Sequence, residues 1–374
     1  ETLEISCHGN PIIIDEIGRS LVQVGARMAE PGEFTYRAFM CGRLDLVQAE
    51  SVLSVIESES PFAKENAIRQ LKGQVSVELR DIERGLVHLL AHLEADIDFS
   101  TEGIQTLPPE SMKLMIMKFD RQLVEWIGTY RQGRLLEEGF RVAFVGRPNV
   151  GKSSLLNLVL GEDRAIVTDV AGTTRDVVDG RVELDGIPVS FVDTAGIRET
   201  NEVVERLGVE RSLVEAQRAD LIFLVFDGSV PLTEEDLRLE DILRPHNGKV
   251  VRVYNKADLP TVVDIAKGSV LHLTTMSGSG AEQSFHQLMA VCRERMCMQG
   301  SRESVLISRA RHFEGLNEAH LKLNEVLEML EGSVGLEVVA IPLKEALLAV
   351  QRVLGISYDD QIIDQIFKEF CLGK

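Results

Sequence analysis

The octapeptide Gly146-Arg147-Pro148-Asn149-Val150-Gly151-Lys152-Ser153 constrains this chain more than any other feature. It follows an apolar run, Arg141–Val145, and precedes a run carrying Leu155, Leu156 and Leu158 at helical spacing. G-x-x-x-x-G-K-S between a strand and a helix is the phosphate-binding loop of an α/β nucleotide-binding domain. Its glycines let backbone N–H groups turn inward around phosphate oxygens, and the helix N-terminus adds the positive end of its dipole. Asn149, Val150, Gly151, Lys152, Ser153 and Ser154 are therefore expected around the phosphates. Lys152 should reach the β- and γ-phosphates, and Ser153 should ligate Mg²⁺.

From Phe140 to about Gln299-Gly300, short apolar runs alternate with amphipathic ones. This pattern predicts a parallel α/β sheet with strands at Arg141–Val145, Val189–Val192, Leu221–Phe226, Val250–Tyr254 and Val270–Leu273. Asn255-Lys256-Ala257-Asp258 follows the fourth of these runs. An N-K-x-D tetrad there suits guanine. Asp258 can accept from the ring N1–H and the exocyclic amine, whereas adenine has no donor at either place. Lys256 is expected to pack along the base and Asn255 to tie this loop to the phosphate loop. An ATPase is disfavoured on these grounds. Thr274-Thr275-Met276 stands where GTPases usually carry Ser-Ala-Lys, with Thr275 approaching the base through its backbone N–H.

Asp193-Thr194-Ala195-Gly196 ends the second strand run. Asp193 would hold Mg²⁺ through water, and the Gly196 N–H would sense the γ-phosphate. The next residue, Ile197, cannot orient an attacking water. Glu199 to Glu210 offers several carboxylates for that task, though any one of them reads first as part of a solvated helix face. Thr174, within Asp169-Val170-Ala171-Gly172-Thr173-Thr174-Arg175-Asp176, is a second expected Mg²⁺ ligand that closes as a switch. Only Arg147 and Arg175 are near enough in sequence to act as a charge-neutralising finger. A bound monovalent cation is the alternative.

The flanks have a different texture. Residues 1–40 suggest a small α/β piece, with a strand at Thr2–Cys7 and a helix over Ile12–Val24. Residues 44–138 predict long helices, one continuing from Leu71 to Ile97 and another from Glu110 to about Glu138. Residues 303–374 return to helix. The simplest architecture inserts the α/β domain between two halves of a helical domain. The first residue is Glu1, not Met, and an incomplete N-terminus is expected. The chain has 374 residues, enough for two to three domains, and a net charge of −19. Such acidity excludes a broad basic surface gripping nucleic acid unaided. No stretch approaches the length of a membrane span. Five cysteines without a C-x-x-C pair argue against a disulfide framework and for a reducing, cytoplasmic location.

Three further segments carry a resemblance. They are Pro31-Gly32-Glu33-Phe34-Thr35-x-Arg37-Ala38-Phe39, Leu44-Asp45-Leu46-x-Gln48-Ala49-Glu50 and the ending Phe370-Cys371-Leu372-Gly373-Lys374. With the phosphate loop and Gly172–Asp176, the sequence resembles the MnmE (TrmE) family of tRNA-modification GTPases over essentially its whole length. The resemblance implies an α/β P-loop GTPase domain (140–300) inserted in an all-α helical domain (42–139 and 301–374). Before these comes a truncated α/β folate-binding, dimerising N-terminal domain (1–41). It also implies a homodimer whose GTPase domains meet. K⁺ would be ligated by Asn149 and by the loop carrying Thr168, Val170 and Thr173. Mg²⁺ would be held by Ser153, Thr174 and Asp193. The family's water-orienting glutamate matches Glu205.

The implied reaction modifies carbon 5 of a wobble uridine in tRNA, with an MnmG-type FAD flavoprotein as partner and a tetrahydrofolate derivative as one-carbon donor. The tRNA would be shared with that partner, and no membrane is involved. Glu205, Lys152, Thr174 and Cys371 are the catalytic residues so implied. Cys371 is either a redox or nucleophilic group, or part of a tail contacting folate, tRNA or partner. His8 either lines the folate pocket or is a buried structural histidine. The alternative is a ribosome-assembly GTPase switch without modification chemistry. Such proteins usually append a basic RNA-binding domain, which this acidic chain lacks.

Overall fold

Strands apolar at consecutive positions bury both faces, and so require helices on each side. The computed structural model describes residues 2–98, 107–161, 180–193, 217–262, 270–276, 278–296, 305–332, 334–357, 360–368 and 370. Its strands are β1 (Phe140–Val145), β2 (Gly180–Leu184), β3 (Ile187–Asp193), β4 (Leu221–Asp227), β5 (Val250–Asn255) and β6 (Val270–His272). The first helices are α1 (Pro11–Gln23), α2 (Glu33–Met40), α3 (Leu46–Glu57), α4 (Pro61–Leu71), α5 (Gln74–Asp98) and α6 (Pro109–Glu138). They are followed by α7 (Lys152–Leu160), α8 (Glu234–Leu243), α9 (Ser279–Met296), α10 (Ala310–Glu331), α11 (Leu336–Leu354) and α12 (Asp360–Lys368). The chain divides into two compact units. One comprises Glu1–Glu57, Asn66–Ile127 and Arg311–Lys374, and the other Ser58–Glu65 and Gly128–Ala310.

In the second unit the six strands are ordered β2-β3-β1-β4-β5-β6. β3, β1, β4, β5 and β6 pair in parallel. Every residue of central β4 is buried. Alternate side chains serve two cores. Val142, Phe144 and Phe223 pack with Leu155 of α7 and Leu288 of α9, while Ala143, Ile222 and Leu224 pack with Leu239 and Leu243 of α8. The expectation of a purely parallel sheet is corrected at one edge. β2 runs antiparallel to β3 through a two-residue turn, Asp185-Gly186, with φ of 55° and 83°. Both central residues at positive φ make the turn that matches the strand twist, and Asp-Gly is its sequence mark.

In the first unit, α5 places Val75, Leu79, Ile82, Leu86, Leu89 and Leu93 on one buried stripe. Gly85 leaves room for the Phe119 ring of α6, which a Cβ would meet at 2.1 Å. The helix expected from Leu71 to Ile97 is α5, begun three residues later, and Leu71 instead ends α4. Gly73, at φ 80°, separates α4 from α5, because the left-handed conformation ends a helix even where the apolar period continues.

The Leu44–Glu50 motif has a structural basis. Asp45 accepts from the Gln48 N–H at 3.0 Å and donates its own N–H to Gln48 Oε1 at 3.1 Å, a reciprocal cap on α3. Gln48 Nε2 also donates to the Leu71 carbonyl at 3.0 Å. Buried Glu50 accepts from Arg311 at 2.7 and 3.0 Å and meets His312 Nε2 at 2.6 Å. Burial opposes its charge, but Arg311 and His312 outweigh it and hold the carboxyl far below the usual range.

The Pro31–Phe39 motif is anchored differently. Gly32, at φ 68°, lies where a Cβ would come 2.6 Å from the Phe367 carbonyl. Glu33 accepts two bonds from Arg27 at 2.8 Å. Phe39, Leu46 and Leu53 share one buried cluster with Ile363, Phe367 and Phe370.

The strand expected at Thr2–Cys7 does not form. A strand needs a pairing partner, none of the described residues pairs with it, and Leu3 and Ile5 are exposed. α1 forms as expected, capped by Asn10, and buries no residue. His8 is exposed, so its reading as a buried histidine is corrected. Among the described residues no helix is long and apolar enough to cross a membrane.

Candidate nucleotide-binding site

Ligands of open α/β sheets bind beyond the carboxyl ends of the parallel strands. There the structure brings together the ends of β1, β3, β4 and β5. The loop after β1 approaches its neighbours too closely for side chains at two positions. A Cβ on Gly146 would lie 2.3 Å from the Val225 carbonyl, and one on Gly151 2.1 Å from Asn255 Nδ2. Asn149 and Gly151 sit at φ 64° and 98°. This turn delivers the chain to the N-terminus of α7, where Lys152 is buried.

The Lys152 ammonium donates to the Gly146 and Arg147 carbonyls at 2.7 and 2.9 Å. Burial pushes its pKa below the ordinary lysine value, against the pull of Asp193 and Glu235. Ser153 Oγ donates to Asp193 Oδ2 at 2.6 Å. An exposed hydroxyl beside a buried carboxylate is an all-oxygen donor pair, the kind a hard cation such as Mg²⁺ takes, so these residues fit that ion. Val150 is fully buried and Ser154 exposed.

Arg147 lies 3.2 Å from Asp236, whose other bonds close a capping box with Thr233 at the start of α8. That ion pair gives Arg147 a charged partner at the start of α8. Asp236 was not foreseen. Its signal in the sequence is the T-x-x-D spacing of a helix start.

The loop after β5 is fastened at both ends of its tetrad. Asn255 Nδ2 donates to the Val150 carbonyl at 2.9 Å, joining this loop to the phosphate loop. Asp258 Oδ1 accepts from Thr274 Oγ1 at 2.7 Å, and Met276 N–H donates to the same hydroxyl at 3.2 Å. Thr274 N–H in turn donates to Ser284 Oγ at 2.9 Å. Thr275 is half-buried beside it. Lys256, at φ 64°, donates to Asp227 Oδ2 at 2.6 Å. Asp227 is a second residue that sequence reasoning missed, because the end of an apolar strand run carries no motif of its own.

Other expected site residues lie outside the described residues: Thr168, Val170, Thr173, Thr174, Arg175, Gly196, Ile197, Glu205 and Cys371. Of the K⁺ set only Asn149 is described; it is exposed and held in the left-handed turn. Two of the remaining cysteines, Cys7 and Cys41, are exposed. Cys292 is buried, and burial pushes its thiol up to about 12, which suits a core residue and not a nucleophile.

The family model described as the MnmE helical domain matches residues 46–371, and that of the GTP-binding protein TrmE N-terminus matches residues 1–43. A relative from Bdellovibrio bacteriovorus, named tRNA modification GTPase MnmE, is 43% identical over 395 residues, covering 100% of this chain and 82% of that one. Relatives of the same name from Aquifex aeolicus and Lactiplantibacillus plantarum are 40% and 39% identical, again across 100% of this chain, and 83% and 82% of theirs. The solved FeoB G-domain of Methanococcus jannaschii is 23% identical over 42% of this chain and 97% of its own, at a TM-score of 0.30. Matched from end to end by relatives of one name and by both family models, the chain belongs to the MnmE family of tRNA-modification GTPases.

Proposed function

We propose that this tRNA-modification GTPase works as a potassium-stimulated, dimerisation-dependent switch. Its hydrolysis of GTP drives modification at carbon 5 of a wobble uridine, shared with an MnmG-type flavoprotein and supplied with carbon by a tetrahydrofolate derivative. The observation that carries the nucleotide part is the Asn255–Val150 hydrogen bond. It fixes the base-reading tetrad to the phosphate loop, so one ligand must satisfy both. A guanine nucleoside triphosphate does so.

In this reading Lys152 neutralises the β- and γ-phosphates, and the N–H groups from Asn149 to Ser154 cradle them. Ser153, Asp193 and Thr174 hold Mg²⁺, which when bound spreads the charge of the triphosphate. Asp258 accepts from the base with both carboxylate oxygens, and Oδ1 keeps a second lone pair for Thr274. Glu205 orients the attacking water. Asn149, with Thr168, Val170 and Thr173, holds K⁺ in place of an arginine. Cys371 and the folate belong to the modification chemistry in the helical and N-terminal parts. A cytoplasmic location and a homodimer complete the reading.

GTP hydrolysis measured in KCl and in NaCl, for the wild type and Glu205→Ala, tests it. We expect hydrolysis to be faster in KCl, and to be lost in Glu205→Ala while GTP binding remains. Equal rates in the two salts would remove the role given to Asn149, and an active Glu205→Ala would remove that given to Glu205.

A further inference from the structure

We infer that Asp227 is a positioning residue for base recognition, holding Lys256 where its carbon stem borders the guanine. The inference rests on the guanine reading above and extends it to a residue outside the recognised motifs. The tetrad after β5 is fastened to three different elements. Asn255 is tied to the phosphate loop and Asp258 to the loop after β6. Lys256 is tied to the end of β4, its ammonium 2.6 Å from Asp227 Oδ2.

Asp227 is built for this task. It pairs in register with Asn255 across β4 and β5. Its other oxygen, Oδ1, accepts from the Ser229 N–H at 3.0 Å and from Ser229 Oγ at 2.6 Å. Gly228 N–H donates to the Asn255 carbonyl at 2.9 Å, so the backbones of both loops are locked beside the ion pair. Burial raises the Asp227 pKa, but bonds from Lys256 and Ser229 outweigh it and keep the carboxyl below its usual range, charged at neutral pH. Lys256 needs such a restraint. It is a non-glycine residue at φ 64°, and its side chain is one-third exposed. A flexible lysine in a left-handed turn would otherwise sample many positions around the base. Fixing it in advance removes an ordering step from binding, which appears as slower nucleotide release.

The test is stopped-flow release of a fluorescent GDP and steady-state GTP hydrolysis. The variants are Asp227→Asn, Lys256→Met, their double mutant and Ser229→Ala. Asp227→Asn is expected to speed GDP release about tenfold and to raise KM more than it lowers kcat. Ser229→Ala, which keeps the ion pair and the backbone N–H bond to Oδ1 but removes the hydroxyl bond, should shift release in the same direction by less. In the Lys256→Met background, Asp227→Asn should add nothing. Equal effects of Asp227→Asn with and without the Lys256 ammonium would overturn the inference, as would a loss confined to kcat. Should Asp227→Asn fail to fold, an unchanged release rate in Lys256→Met, which removes the ammonium that Asp227 holds, would overturn it alone. A wild type that binds ADP as tightly as GDP would instead sink the guanine reading itself, which separates the two failures.

Discussion

Two charged residues with shifted titration behaviour set different pH limits. Lys152 loses affinity for its proton through burial, and a bound triphosphate would restore it. Between the free and bound values of its pKa, binding therefore takes up a proton. Nucleotide affinity should fall as pH rises through the free value, at a lower pH than an ordinary lysine would give. Calorimetric titration with GDP across alkaline pH checks this, and Lys152→Arg should move the fall to higher pH. Glu50 works in the opposite sense. Its carboxyl is depressed when folded, so its contribution is complete above about 4.5, its unfolded value, and is lost as pH falls below that. Glu50→Gln should reduce stability at neutral pH by about 3 kcal/mol, since it leaves Arg311 and His312 without their anion. It should also flatten the decline of stability in acid. Urea unfolding at a series of pH values measures both. Lys152, Ser153 and Asp193 were legible from spacing alone, because phosphate binding demands fixed residue types at fixed steps. Asp227 and Asp236 were not, because their partners come from elsewhere in the fold.

The elements show where a linear pattern fails. β1, β3, β4 and β5 announce themselves as apolar runs because most of their residues are buried, whereas edge strand β6 buries none. β2 is short and lies at the sheet edge, and its alternation of Val182 and Leu184 with Arg181 and Glu183 covers only five residues. The turn that makes it a strand, Asp185-Gly186, was the stronger signal. The break at Gly73 was hidden for the opposite reason, since the apolar period runs on past it. Thr2–Cys7 alternates like a strand, yet alternation supplies no partner. The Leu44–Glu50 motif was legible as a family signature but not as a helix start. Asp45→Ala should cost about 1 kcal/mol through the lost cap. The accompanying loss of the Arg80 contact, whose guanidinium is half exposed, should add little. Denaturant midpoints compared with an Arg80→Ala control separate the two.

At the scale of the molecule, the change of texture at Phe140 marked an α/β domain set within helical sequence, and the chain does return to helix at α10. Periodicity could not show how the compact units divide α6. Residues up to Ile127 belong to one unit and those from Gly128 to the other, while the helix itself continues without a break. Each unit has its own buried clusters, so ligand stabilisation should be felt unequally. GDP at one hundred times its Kd adds about 2.7 kcal/mol to the unit that binds it. Scanning calorimetry with and without GDP and Mg²⁺ should show one component of the transition moving upward and the rest staying in place.

The cluster joining Phe39 and Leu46 to Phe367 and Phe370 has a consequence for synthesis. Translation runs from one end, so Phe39 and Leu46 emerge with part of their packing unmade and must wait for more than three hundred residues before Phe367 and Phe370 arrive. The sheet, whose strands lie between Phe140 and His272, has all of its pieces well before then. On the ribosome the strands from Phe140 to His272 are ready to fold before the packing around Phe39 and Leu46 can be finished.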